Sequence, residues 1–169
     1  MKKDRPMENL WAPWRIEYIL SAKDDTPGRC IFCDLPSQND DTKNLILYRG
    51  ENIYVIMNRF PYNNGHLMVV PFHHTGDIQE ITSEENLEMM EVVQLCCRAL
   101  DATMQPHGYN IGMNLGRVSG AGVVDHLHIH IVPRWNGDTN FMPVIGNTKV
   151  ISEALDKTYQ KLLPEFQKK

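Results

Sequence analysis

The amino-acid sequence predicts an α+β domain: an antiparallel sheet of about five strands, a long helix packed on one face, and short terminal helices. Three observations carry this prediction. Short apolar runs of strand length recur at 45–49, 53–58, 66–71, 109–114 and 127–133. Turn-forming segments, not crossover helices, separate most of them, which selects antiparallel pairing. A single long amphipathic segment lies between the third and fourth runs.

Residues 1–28 are polar around an aromatic island, Leu10-Trp11-Ala12-Pro13-Trp14-Arg15. Pro13 suits a first helical position, so a short helix from about Trp14 to Leu20 is expected. Asp24 to Gly28 and residues 34–44 read as loops on their Asp, Asn, Ser and Pro content. Gly50-Glu51-Asn52 breaks the first two strands as a hairpin does, and Pro61 to Gly65 breaks the next two. Thr82 and Glu85 form a capping-box pattern that starts the long helix. Leu87, Met90, Val93, Cys97 and Leu100 then recur at helical spacing, which places Cys97 in the core. Pro106 and Gly108 stop this helix near Met104. A last amphipathic helix is expected from Ser152 to Leu163, ending at Pro164.

The chain of 169 residues reads as one domain. Residues 1–28 form an N-terminal extension, 30–133 the core and 134–169 a C-terminal extension. Lysine plus arginine number 17 and aspartate plus glutamate 21, a net charge of −4. That balance argues against nucleic acid as a partner, since such binding rests on a basic surface. No apolar h-region follows Met1-Lys2-Lys3, and no run approaches a membrane span, so a cytoplasmic, reducing location is expected without membrane association. Cys30, Cys33, Cys96 and Cys97 are then not expected to form a disulfide framework. Cys30 and Cys33, spaced C-x-x-C, point to metal or redox chemistry.

The densest chemical signal is His126-Leu127-His128-Ile129-His130-Ile131. Side chains alternate faces along a strand, so three imidazoles share one face while Leu127, Ile129 and Ile131 enter the core on the other. Neutral imidazole attacks phosphorus when its second nitrogen is held as N–H by an acceptor. Such a cluster also suits zinc, and the triad alone leaves both chemistries open. Upstream, Asn114-Leu115-Gly116-Arg117-Val118-Ser119-Gly120-Ala121-Gly122 is small enough for backbone N–H groups to approach phosphate oxygens, with Arg117 and Ser119 as added donors.

His126-x-His128-x-His130 followed by two apolar residues resembles the histidine-triad (HIT) family of nucleotide hydrolases and transferases. Asn58-Arg59-Phe60-Pro61 with Gly65-His66-Leu67 and Pro71 is similar to the family's first nucleotide-binding segment, and Asn114 with the following glycines to its second. Leu10 to Arg15 and Pro133 to Phe141 resemble blocks of bacterial members related to diadenosine tetraphosphate phosphorylases and Fhit-type hydrolases. The resemblance implies a HIT-like fold and cleavage of adenosine polyphosphates, diadenosine tetraphosphate or triphosphate, at the α-phosphorus. His128 would form a covalent nucleotidyl-histidine that water or phosphate displaces. His130 and the backbone of Gly120, Ala121 and Gly122 would stabilise phosphate charge. Asn58 would meet the ribose, Asn114 the phosphate or leaving group, and His66 would buttress the histidines. Trp135 is a candidate for stacking on adenine, with packing as its alternative.

His130 stands where typical transferases of the family often carry Gln, which favours hydrolysis. Gly120 to Val124 replaces a Gln-containing segment of Fhit-type hydrolases, which favours phosphorolysis. By the same resemblance, Cys30, Cys33, His74 and His126 would hold a structural Zn2+, with His73 as the competitor of His74. No organic cofactor is expected. Family members usually pair, so a homodimer or higher homo-oligomer is expected. Two rival functions stay open: hydrolysis of nucleoside phosphoramidates or other adenylyl conjugates, and a zinc-stabilised nucleotide-binding module with weak catalysis. A thiol oxidoreductase is disfavoured because Cys30 lacks a βαβ context.

Overall fold

The computed structural model describes residues 29–139, 151 and 153–168. The expected helix at Trp14 to Leu20 and the blocks at Leu10 to Arg15 and Asn140-Phe141 lie outside them. Strands β1 (Ile46–Arg49), β2 (Ile53–Met57), β3 (Leu67–Pro71), β4 (Gly108–Gly112) and β5 (Ile129–Arg134) form one sheet in the order β1-β2-β3-β5-β4. Every pairing is antiparallel, and the α+β prediction holds. No helix among the described residues is long and apolar enough to cross a membrane.

Strand alternation gives the sheet two unlike faces. Ile53, Val55, Met57, Leu67, Val69, Ile129 and Ile131 point to one face and form the main core. Tyr54, Ile56, Met68 and Val70 point to the other and join a smaller cluster with Phe32. In register, Ile56 pairs with Met68, Met68 with His130, and His130 with Gly112. The histidines therefore share the face of the smaller cluster, as their period-two spacing requires.

α1 (Ile31–Ser37) and α2 (Asp41–Asn44) occupy the segment expected as loop. The residues read as loop formers act here as helix ends: Asp40 accepts from Lys43 N–H at 3.2 Å, and Leu45 terminates α2 at φ 60°. Phe32 and Pro36 bury against the sheet, and the Tyr54 hydroxyl donates to the Phe32 carbonyl at 2.7 Å. Tertiary packing thus overrides composition.

α3 (Ser83–Met104) carries the predicted capping box, with Glu85 N–H donating to the Thr82 hydroxyl at 3.2 Å and Thr82 N–H to Glu85 Oε2 at 2.8 Å. Its buried stripe is Met89, Val92, Val93, Cys96, Ala99 and Leu100, one position round from the expected one. Cys96 is the fully buried thiol and Cys97 only partly so, while Leu87 and Met90 are exposed. Both stripes satisfy helical periodicity and share Val93 and Leu100, so spacing alone did not choose between them. α4 (Leu155–Gln167) continues through Pro164 instead of ending there. Tyr159, Leu162 and Phe166 bury one continuous stripe against the sheet and α3, and that burial outweighs the missing proline N–H.

Candidate active site and metal centre

β5 and the residues just before it carry the triad. Ladder pairing begins at Ile129, later than the expected Leu127, because the preceding residues bond elsewhere. Leu127 N–H donates to the Thr75 carbonyl at 2.7 Å, and His126 Nε2 pairs with the Pro71 carbonyl at 2.8 Å. Gly76 permits this approach: a Cβ there would lie 2.6 Å from the Val124 carbonyl oxygen. The segment after β3 is thereby pressed against His126, and His74 comes with it.

The hydrogen bonds assign the ring tautomers. His126 donates from Nε2 to Pro71, so its Nδ1 carries the lone pair. His128 Nδ1–H donates to the His126 carbonyl at 2.9 Å, which leaves Nε2 unprotonated. His66 Nδ1 accepts from Tyr62 N–H at 3.1 Å, so its proton is on Nε2, 3.0 Å from His130 Nδ1. His130 accepts there, and its own proton falls on Nε2, 3.5 Å from the Asn114 side-chain amide, whose oxygen and not its nitrogen is the complement of that proton. Burial holds both His128 and His126 below the ordinary imidazole range, and for His126 the adjacent imidazoles His74, His128 and His73 push the same way. Both rings are neutral at pH 7.

His128 and His130 line an open cleft. Ile31, Phe32, Leu35, Ile56 and Met57 give the lining its apolar surface, with the Phe32 ring 4.8 Å from that of His128, and Asn58, Tyr62 and Gly122 also line the cleft. Asn58 Oδ1 accepts from Phe60 N–H at 2.9 Å, and its amide lies 3.4 Å from His66 Nδ1. Phe32, Asn44, Tyr62 and Val123 line the cleft without having been singled out from the sequence.

Other predicted residues lie elsewhere. Arg117, Ser119, Gly120 and Ala121 are absent from the cleft lining, and the Ser119 hydroxyl donates back to the Gly116 carbonyl at 2.7 Å. A short 3₁₀ turn over Arg117–Ser119 turns this stretch outward, so only Gly122 of the glycine loop reaches the cleft. Trp135 is also outside the lining: its indole N–H donates to the Met104 carbonyl at 3.3 Å, at the C-terminal end of α3.

A second cluster adjoins the triad. Cys30 Sγ lies 3.2 Å from His126 Nδ1, Cys33 Sγ 3.4 Å from His74 Nδ1, and the two Nδ1 atoms are 3.3 Å apart. The four donor atoms all lie within 4.8 Å of one another, so this group can hold a metal ion. A tetrahedral ion with ligands at about 2.0–2.3 Å spaces neighbouring donors by about 3.3–3.8 Å, which these separations approach. His126 meets the requirement of an oriented ligand, since Pro71 fixes its Nε2–H and leaves Nδ1 for the ion. His73, the competitor of His74, instead pairs with Glu85 at 3.3 Å.

A family model described as HIT domain matches residues 39–137. The chain belongs to the HIT family. It is 37% identical over 166 residues to a protein named AP-4-A phosphorylase from Mycobacterium tuberculosis, covering 95% of this chain and 85% of that one. The crystal structure of a Zn-bound histidine triad family protein from Mycobacterium smegmatis matches with TM-score 0.66 at 27% identity, over 82% of this chain and 93% of the other. A hypothetical histidine triad nucleotide-binding protein from Sulfolobus tokodaii shares the fold, with TM-score 0.67 at 24% identity over 82% and 92% of the two chains.

Proposed function

We propose that this chain cleaves adenosine polyphosphates, diadenosine tetraphosphate above all, at the α-phosphorus through a nucleotidyl intermediate on His128. The observation that carries the reading is the bond from His128 Nδ1–H to the His126 carbonyl, which leaves a neutral ring with its Nε2 lone pair available beside His130. The similarity to the mycobacterial AP-4-A phosphorylase supports the substrate class.

In the first step Nε2 of His128 forms a bond to the α-phosphorus, and the bond from that phosphorus to the bridging oxygen breaks. The leaving polyphosphate takes the electron pair. His130 Nε2–H, held in that tautomer by His66, donates to the phosphate oxygens as charge gathers there. In the second step phosphate or water attacks the same phosphorus, His128 leaves with its pair, and the site returns to its starting state. Splitting one displacement into two is the gain of a covalent nucleophile. Asn58 would meet the ribose, and the apolar walls of the cleft would take the base.

The metal reading is zinc at Cys30, Cys33, His74 and His126, supported by the donor chemistry and by the Zn-bound mycobacterial relative. When bound, zinc would supply a structural cross-link between the start of α1, the segment after β3 and the start of the triad.

Product analysis by liquid chromatography and mass spectrometry tests the catalytic reading. With diadenosine tetraphosphate, ADP plus ATP forming only with added phosphate marks a phosphorylase. AMP plus ATP without phosphate marks a hydrolase. His128→Ala should abolish either. Absence of turnover at micromolar enzyme would overturn the dinucleotide assignment and favour a smaller adenylyl conjugate.

A further inference from the structure

Asn44 closes α2 and is 4% exposed, yet it lines the cleft. Its amide orientation is fixed from outside the cleft. Nδ2 donates to the Leu35 carbonyl at 2.9 Å and to Gln38 Oε1 at 3.2 Å. Both partners are acceptors, so the nitrogen must face them and Oδ1 must face away. Both amide protons are spent, and Oδ1 accepts no hydrogen bond among the described residues. Oδ1 is thus the acceptor that Asn44 offers to the cleft, where its wall companions Ile31, Leu35 and Met57 are apolar. Next to it in the lining is Arg59, whose Nη2 donates to the Lys43 carbonyl at 3.1 Å. That single bond pins the guanidinium beside Asn44 and leaves its remaining N–H groups as donors.

The cleft therefore holds an acceptor and a donor close together in its lining. A purine's outer edge carries the two groups that could meet them. Adenine presents an amino donor at N6 and an acceptor at N1. Hypoxanthine and guanine present the reverse, an acceptor at O6 and a donor at N1.

We propose that Asn44 Oδ1 accepts from the N6 amine of the bound adenine, with Arg59 donating to N1, and that this pair selects adenine over 6-oxopurines. The inference rests on the reading of the cleft as a nucleotide site. It adds a base-selecting device to the apolar walls, which grip any flat ring without distinguishing its edge.

Calorimetric binding of AMP and IMP, which differ in the group at C6 and the N1 proton, tests the proposal with the unmodified protein. AMP should bind about tenfold or more tighter, since the mismatched edge of IMP sets acceptor against acceptor and donor against donor. Asn44→Ala and Arg59→Met should each bring the AMP-to-IMP ratio toward one, chiefly by weakening AMP. Arg59 is exposed, so its variant keeps the test sound if loss of the Asn44 anchors unfolds α2. Equal affinity of the unmodified protein for AMP and IMP would overturn the base-selecting role while leaving a nucleotide site. A ratio unmoved in both variants would also overturn it. Failure of both nucleotides to bind would overturn the nucleotide reading itself, and this inference with it.

Discussion

In the proposed mechanism His66 acts one residue removed from the chemistry. Its ring is 1% exposed and stands between Tyr62 N–H and His130 Nδ1, so there it would set a proton position and make no contact with substrate. Remove the donor and His130 is free to carry its proton on Nδ1, where it cannot reach a phosphate. His66→Phe should lower kcat by at least about tenfold, the scale of losing one aligned proton donor, with KM little changed. His66→Gln, whose amide can donate to the same nitrogen, should recover part of that loss. Nitrogen-15 spectra of the His130 ring would show the tautomer directly: an unchanged Nε2–H signal in His66→Phe would refute the assignment. The triad itself was legible in the sequence because strand alternation alone puts His126, His128 and His130 on one face. The same rule sent Ile129 and Ile131 to the core, where they lie. Asn44 and Tyr62 were not legible as cleft residues. Neither carries a local pattern that marks it as a lining residue, and Asn44 sits in a stretch whose composition reads as a loop. Trp135 bonds to the end of α3, in keeping with the packing role that the sequence left open beside stacking, since an aromatic after the triad strand fits a helix end as well as a base.

At the scale of elements, α3 is anchored at its first turn. Thr82 and Glu85 satisfy each other's backbone N–H groups, and Glu85 also pairs with His73 on the segment after β3. Thr82→Ala should cost about 1 kcal/mol, the usual value of an N-cap, and lower Tm by roughly 2–4 °C for a chain of this size. Burial pushes the Glu85 carboxyl up, but the Thr82 backbone and hydroxyl bonds together with His73 outweigh it, so the group titrates below the ordinary carboxylate range. Folding therefore favours the charged form. Its contribution is whole above the unfolded carboxylate value and is lost as pH falls through the lower folded value. The stability gap between the parent and Glu85→Gln should accordingly be widest near neutrality and close below about pH 4, the ordinary carboxylate range. Urea melts at a series of pH values would show it, and a gap independent of pH would refute the assignment. The capping box was readable because it is a local pattern of residues three apart. The buried stripe of α3 was not, because Cys96 and Cys97 differ by one helical step and only the position of the sheet decides between them. α4 outran its proline for a related reason: the rule that proline ends helices is local, whereas burial of Phe166 is not.

For the whole molecule, the Cys30, Cys33, His74 and His126 cluster joins parts of the chain that share little else. Cys30 caps α1 and Cys33 lies in its first turn, His74 follows β3, and His126 leads into β5. α1 is short and helices of its length do not persist alone, so its place over the cleft depends on the Phe32 side chain, the Tyr54 hydroxyl and this cluster. Burial and the neighbouring Cys30 push the Cys33 thiol up to about 11, so without an ion that thiol keeps its proton and brings no charge to the cluster. The proposed zinc would replace those protons with ligand bonds made only in the folded chain. Chelation should therefore lower Tm, by roughly 5–10 °C if metal had been present at a hundredfold over its Kd. Activity should fall with it, because the carbonyl that orients His128 belongs to His126, the residue the ion would hold. Cys33→Ser and His74→Ala should each copy the chelated protein and lose metal content by elemental mass spectrometry, whereas His73→Ala should keep its metal because that ring faces Glu85. If the purified protein contains no metal, and neither its Tm nor that of Cys33→Ser responds to added zinc, the four side chains are packing residues alone and α1 is held by the sheet contacts of Phe32.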